Sequence, residues 1–226
     1  MTDIRIAQPE DEAGAVEAWR AAQAGRGLRP NALRLARVTD KVRDGLTQGL
    51  LVTAHADDRC LGMALGEPAR LQDGAGDLEP EVLHLAMVFV VPEVQRQGLG
   101  SALVEALADA AWAQGYRAMT LWSRSPGFYQ AIGFERTGRA HDADVQLRAE
   151  LEAPLREVLV RSEGIRLGQL LKLAELVETG AEGKELLAEG AVEVNGEVEL
   201  RRGRQLSDGD EIRARDQAVK VVLSTP

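Results

Sequence analysis

At 226 residues the chain is long enough for one large domain or two smaller ones. It carries 27 Lys and Arg against 36 Asp and Glu, and the net charge of −9 advertises no global affinity for nucleic acid. A single cysteine, Cys60, excludes an intrachain disulfide and any cysteine-rich metal site, which suits a reducing compartment. No run reaches the ~18 apolar residues of a membrane span, and residues 1–12 lack a signal-peptide pattern, so the expected location is cytoplasmic.

In chain order, the apolar spacing predicts a strand at 4–7, helices at 11–24 and 31–45, and strands at 50–55 and 60–66. Residues 71–80 read as a glycine- and acid-rich loop. A strand follows at 83–91, rich in bulky apolar residues, and runs into Pro92 and a glycine-bearing turn. The next helix begins near Gly98, with Leu99, Leu103, Ala106, Leu107 and Ala110 at helical spacing. Gly98 and Gly100 carry no Cβ, so a ligand can approach the free N–H groups of that first turn, where the helix dipole is positive. Two readings fit this geometry: a diphosphate seat, and an ordinary strand-to-helix turn. Further on come a strand at 118–123, a short helix at 127–132, and strands near 134–137 and 144–151.

Two motifs narrow the first of these readings. Gln95-Arg96-Gln97-Gly98-Leu99-Gly100 resembles the Q/R-x-x-G-x-G/A acyl-CoA motif of GNAT-type N-acetyltransferases, and Phe128-Tyr129-Gln130-Ala131-Ile132-Gly133-Phe134 resembles that family's later FYxxxGF block. The two occur in family order, each on the appropriate element, within a resemblance covering residues 1–153. No G-x-G-x-x-G and no phosphate-loop G-x-x-x-x-G-K-[ST] competes at this turn. The resemblance implies an α/β (α+β) domain with a mixed, splayed central sheet flanked by helices. It also implies acetyl-CoA as cosubstrate and an amine as acceptor. Phe89, Val90 and Val91 would face the pantetheine arm, and the amides of Arg96, Gln97, Gly98, Leu99, Gly100 and Ser101 would hold the diphosphate. Local amide dipoles must then dominate, because an acidic protein repels the polyanionic coenzyme at long range.

Acetyl transfer needs a neutral amine and a proton for the departing thiolate. Tyr129 matches the family tyrosine that protonates the thiolate; the alternative is that Phe128 and Tyr129 are simply core aromatics. His84 is the candidate base, because histidine titrates in the useful range. Read as a residue it is also an ordinary packed or surface histidine, with Glu81 acting through water as the alternative base. The family often has asparagine after the preceding strand, where this chain has Ser123-Arg124-Ser125-Pro126. His55, His84 and His141 stand far apart in the sequence, so no metal site is expected. Cys60 reads as a core strand residue.

The organisation changes after Pro154. Residues 167–177 and 181–189 read as helices, with Thr179-x-x-Glu182 spaced as a capping box for the second. Val192 to Leu200 alternates apolar residues with glutamates around Asn195-Gly196, a hairpin signal. A turn at 207–210 and a strand at 218–223 follow. Ile165 to Leu173, Gly190-Ala191-Val192-Glu193-Val194-Asn195-Gly196 and Ser207-Asp208-Gly209-Asp210-Glu211-Ile212 together resemble the S-four RNA-binding domain. That resemblance implies a small α/β domain, two helices and a short sheet, over residues 156–226. It also implies structured RNA, ribosomal or transfer, as partner. Residues 155–226 hold 11 basic and 14 acidic side chains, so the positive charge is local: Arg201, Arg202 and Arg204 after the hairpin, Arg166, Lys172 and Lys184 near the helices. A solvated protein-contact surface is the other reading of that cluster. The sequence thus predicts an acetyl-CoA-dependent N-acetyltransferase carried on an RNA-binding module. Two alternatives stand beside it: a non-catalytic acetyl-CoA-sensing RNA binder, and a small-molecule acetyltransferase with a structural tail.

Overall fold

The protein is described by a computed structural model, covering residues 2–70, 78–161 and 164–224. The chain divides into two compact units, Met1–Glu152 and Ala153–Pro226. The first runs β1 (Asp3–Ile6), α1 (Glu12–Gly25), α2 (Ala32–Gln48), β2 (Leu51–Ala56), β3 (Arg59–Arg70) and β4 (Leu78–Val90). It continues through α3 (Leu99–Ala113), β5 (Ala118–Ser123), α4 (Gly127–Gln130), β6 (Glu135–His141) and β7 (Asp144–Glu150). One sheet holds these strands in the order β1-β2-β3-β4-β5-β7-β6. Every neighbouring pair is antiparallel except β4 with β5.

Alternation along the strands sends side chains to both faces. Leu103, Val104, Leu107 and Ala111 of α3 pack on one face against Val52, Ala64, Leu83, Leu85 and Leu121. On the other face Trp19 of α1 and Val38 and Val42 of α2 meet Leu51, Met63 and Leu65. Leu103 and Leu107 are fully buried, and each such side chain contributes roughly 1.5–3 kcal/mol of hydrophobic stabilisation. The parity of β4 changes part-way along. Leu83 and Leu85 join the α3 side, and so do Val88 and Val90, while Met87 and Phe89 point to the α1/α2 side. The register opposes Leu65 to Met87 but Gly66 to Leu85, leaving Ala86 as the extra residue of a β-bulge.

The second unit contains β8 (Leu155–Val160), β9 (Ile165–Arg166), α5 (Leu167–Leu173), α6 (Gly180–Ala188), β10 (Val192–Val194), β11 (Glu197–Val198), β12 (Gln205–Leu206), β13 (Glu211–Ala214) and β14 (Gln217–Leu223). Five strands lie in the order β11-β10-β13-β14-β8, with β8 parallel to β14, and β9 pairs with β12. Leu167, Leu170, Leu171 and Leu187 of the helices bury against Val158, Val192, Ile212 and Val219. The hairpin turns on Asn195 (φ 56) and Gly196 (φ 79), the two positive φ values of a type I′ turn. The Asn195 amide then clasps the later turn: Nδ2 donates to Asp210 Oδ1 at 2.9 Å, and Oδ1 accepts from Glu211 N at 2.9 Å.

The mixed α/β class and the small second unit agree with the sequence reading. Several boundaries do not. Residues 78–80 of the expected loop belong to β4, and 71–77 lie outside the described residues. The first tail helix ends at Leu173 because Glu175 turns left-handed (φ 58). Strands β8, β9, β12 and β13 were not anticipated. In the capping box Thr179 Oγ1 accepts from Glu182 N at 3.2 Å, but the Glu182 carboxylate takes the N–H of Glu178 rather than that of Thr179.

Candidate active site and nucleic-acid interface

Strands β4 and β5 pair at only three positions, Val82 with Ala118, Leu83 with Met119 and His84 with Thr120. Beyond them the strands part, and a groove of about 520 Å³ opens between residues 85–89 of β4 and residues 121–125. Phe128 and Tyr129 of α4 border it on one side and Arg26, just after α1, on another. Val91 N–H donates to Leu61 O at 2.9 Å, which puts Phe89 and Met87 in the hydrogen-bonded register with β3. By alternation the N–H and C=O of Val88 and the N–H of Val90 point into the groove. The Val90 carbonyl is already bonded to Gln95 Nε2 at 2.8 Å. An extended ligand therefore finds a strand edge with free backbone groups.

Of the three residues expected along the pantetheine arm, Phe89 lines the groove. Val90 packs towards the α3 core, and Val91 is buried with Ala18 and Cys60 away from it. The bulge at Ala86 moves the open wall back to residues 85–89, an offset that no period-2 reading of the sequence contains. At the far end, Arg96 (φ 60) and Gly98 (φ 83) are both left-handed, and this sets the first turn of α3. No side chain caps that turn at Gly98, so the amides of Gly98, Leu99, Gly100 and Ser101 remain available. Arg96 and Gln97 lie exposed on the same loop. A Cβ on Gly100 would stand 3.4 Å from the Phe128 ring, so this helix end abuts the groove wall.

Tyr129 is held by its own motif. Its carbonyl accepts from Ile132 N at 3.1 Å and Phe134 N at 3.0 Å, a closure that needs Gly133 at φ 93. Its ring meets Phe128 and Phe134 edge-on at 4.9 and 5.9 Å. Burial pushes the phenol above its ordinary pKa, with Arg26 pulling weakly the other way, so the hydroxyl keeps its proton at neutral pH. Arg26 lies 5.8 Å above the Phe89 ring. Nothing in the sequence singled Arg26 out, because it follows α1 without a motif.

His84 does not line this groove. It faces a small polar cavity of about 50 Å³ with Glu79, Thr120, Arg139 and Gln146, and Trp122 is common to both linings. Burial lowers its pKa below the usual value, Glu67 opposing and Lys41 reinforcing the shift, so the imidazole is neutral at pH 7. Glu81 is exposed at φ 65, its carbonyl accepting from Arg117 N, and it lines neither cavity. Cys60 is buried, as expected of a core residue.

In the second unit Arg201, Arg202, Arg204 and Arg166 come together. The buried Glu199 divides them: its carboxylate accepts from Arg201 Nη2 at 2.8 Å and Arg204 Nη1 at 3.1 Å. Hydrogen bonds from the Arg201 side chain and backbone, joined by Arg204, hold Glu199 far below the usual carboxylate range. Arg202 is exposed and lies across Gly168 and Gly180, where a Cβ would collide with its side chain or approach its guanidinium. Arg166 caps α5. Lys172 and Lys184 are exposed on α5 and α6, and among the described residues neither is bonded to these arginines.

Residues 17–134, more than half of the chain, match the acetyltransferase (GNAT) family. The chain belongs to that family. Residues 158–222 of the acetyltransferase match the S4 domain. It is similar to the probable ribosome maturation protein RlbA of Bacillus subtilis, at 45% identity over 53 residues, 24% of this chain and 75% of that one. Among solved structures it resembles the GNAT family N-acetyltransferase YhbS of Escherichia coli, which was solved with CoA. That likeness has a TM-score of 0.50 and 20% identity and covers 66% of this chain and 81% of that one. PH1933 of Pyrococcus horikoshii superposes with a TM-score of 0.52 at 13% identity over 66% of this chain and 98% of that one. These two likenesses bear on the fold alone. Among the described residues of the acetyltransferase, no helix is long and apolar enough to cross a membrane.

Proposed function

We propose that the acetyltransferase moves the acetyl group of acetyl-CoA directly onto an amine, and that its S4 domain holds it to structured RNA, ribosomal or transfer. The observation that carries this reading is the gap between β4 and β5. It offers free backbone groups along one wall, ends at the uncapped start of α3, and has Tyr129 on its border. The diphosphate sits on the amides of Gly98, Leu99, Gly100 and Ser101, where the helix dipole favours negative charge. Pantetheine pairs with Val88 like an added strand, which fixes the thioester near the β4 bulge.

The amine nitrogen attacks the thioester carbonyl, forming the C–N bond. Collapse of the tetrahedral adduct breaks the C–S bond, and Tyr129 Oη donates its proton to the departing thiolate. The amine's surplus proton leaves through water to His84, which burial keeps neutral and able to accept it. His84 stands in the neighbouring small cavity, so it acts from the acceptor side rather than on the thioester. The guanidinium groups of Arg166 and Arg202 meet RNA phosphates, while Arg201 and Arg204 are tied to Glu199. Tethering raises the local concentration of any acceptor on the same assembly. A lone buried cysteine and an RNA-binding domain fit action in the cytoplasm.

The test is release of coenzyme A thiol from acetyl-CoA in the presence of a panel of primary amines and RNA-associated acceptors. Amine-dependent release that falls in Tyr129→Phe supports transfer. Tight acetyl-CoA binding with no release under any condition identifies a sensor and overturns the proposal.

A further inference from the structure

The stretch from the end of α1 through α2 carries a charge pattern at odds with the rest of the chain. Between Arg20 and Arg43 there are seven basic residues and one acidic residue, Asp40, in a protein whose net charge is −9. Arg34, Arg37 and Lys41 of α2 are spaced i, i+3 and i+7, which places them in one row along the helix. One end of this row is fixed by Lys41, whose Nζ lies 2.7 Å from Glu67 on β3. Glu67 is the register partner of His84 on β4, and Lys41 contributes to lowering the His84 pKa. Past Arg34, the helix begins at Asn31 and the chain leads back to Arg29 and Arg26, and Arg26 stands over Phe89 in the groove.

Within this basic stretch, Arg20, Lys41 and Arg43 have carboxylate partners. Arg26, Arg29, Arg34 and Arg37 form no ion pair among the described residues. Arg34 and Arg37 are exposed and repel one another at helical neighbour distance, which opposes folding of α2. A polyanion would relieve that repulsion. Arginine forks bind phosphate through two parallel hydrogen bonds, and the same chain carries an S4 domain.

We propose that the acetyl acceptor is an amine carried by RNA itself, with the α2 row from Arg34 to Lys41 holding phosphates near the small cavity that His84 lines and the loop arginines Arg26 and Arg29 holding them towards the groove. This rests on the acetyltransferase reading above. The free α-amino group of an amino acid whose carboxyl is esterified to RNA has an ordinary pKa near 8, so a useful fraction is neutral at pH 7, whereas a lysine amine near 10.4 is almost wholly charged. Transfer to such an amine forms its amide and releases coenzyme A thiol, and no further reactant is needed.

The test supplies the full chain with acetyl-labelled acetyl-CoA and four probes: small RNA with its aminoacyl esters intact, the same RNA after mild alkaline deacylation, ribosomal proteins freed of RNA, and a panel of small amines. Label in RNA is expected. Retention of label in the deacylated sample identifies a nucleobase amine, and its loss there an aminoacyl amine; either supports the proposal. In the Arg34→Glu/Arg37→Glu variant, kcat/KM for the labelled RNA falls at least tenfold while the KM for acetyl-CoA stays within twofold. The milder Arg34→Gln/Arg37→Gln variant gives a smaller drop in the same direction and serves if charge reversal prevents folding. A KM for acetyl-CoA that rises in step assigns the arginines to coenzyme phosphates and overturns the proposal. Label confined to protein or to small amines overturns it and leaves the acetyltransferase reading standing. No thiol release with any probe overturns both.

Discussion

The two units prepare for anionic ligands by opposite means. In the first, the proposed coenzyme seat is built from backbone: the uncapped start of α3, two left-handed residues at Arg96 and Gly98, and a strand edge opened by the divergence of β4 from β5. In the second, the cluster is built from side chains, and a buried Glu199 consumes two of its four arginines. A backbone seat depends little on net charge, so it can exist in a protein that is acidic overall. A side-chain cluster is set by which cations stay unpaired, and counting arginines overstates it. Breaking a backbone seat therefore requires a change of shape, and breaking a charge cluster a change of partner.

The largest effect expected is on chemistry rather than binding. Tyr129→Phe removes the proposed proton donor while keeping the ring packed between Phe128 and Phe134, and steady-state kinetics should give a kcat lower by about 10²-fold with little change in KM. Shape is next. Gly100→Leu drives a side chain into Phe128 and the mouth of the groove, so calorimetry should find acetyl-CoA affinity at least tenfold weaker with the S4 unit's RNA affinity intact.

Within the charge cluster the arginines should separate. Arg202→Ala should weaken RNA binding several-fold and reduce the slope of log K against log salt by about 1, because one phosphate contact is lost. Arg201→Ala should move that slope less, since Glu199 already neutralises this group. Equal slopes for the two variants would mean that Glu199 leaves Arg201 as free to meet phosphate as Arg202. The smallest effects concern pH. Because Glu199 is depressed in the fold, its cluster stabilises the S4 unit fully above the ordinary glutamate pKa of about 4.3 and loses that contribution as pH falls below it. Thermal melts of Glu199→Gln should therefore converge on those of the parent protein under acid conditions. For His84, lowered by burial, kcat/KM should stay level from neutral pH down past the ordinary histidine value near 6.5 and fall only in more acid solution.

Much of this was legible in the residues. The glycine turn, the FYxxxGF block and the Asn195-Gly196 hairpin each encode a backbone requirement, positive φ or a free N–H, that only certain residue types meet. Features that depend on partners distant in sequence were not legible. The bulge at Ala86 exists because β3 opposes Leu65 and Gly66 to Met87 and Leu85. Downstream of that shift the side chains of Val90 and Val91 pack in the core rather than along the groove, and upstream of it His84 faces a separate cavity. Strand β6 escaped full prediction because all seven of its residues are exposed, which leaves no alternation to read. Glu199 looked like one more hairpin glutamate, and its burial beneath two arginines is visible only in the fold.

The most direct test of the backbone seat is a crystal structure of the protein with acetyl-CoA. The diphosphate is expected within hydrogen-bond distance of the amides of Gly98 to Ser101, pantetheine paired to Val88, and the thioester sulfur within reach of Tyr129 Oη. A coenzyme bound elsewhere, or one held in this groove with its sulfur remote from Tyr129, would contradict it.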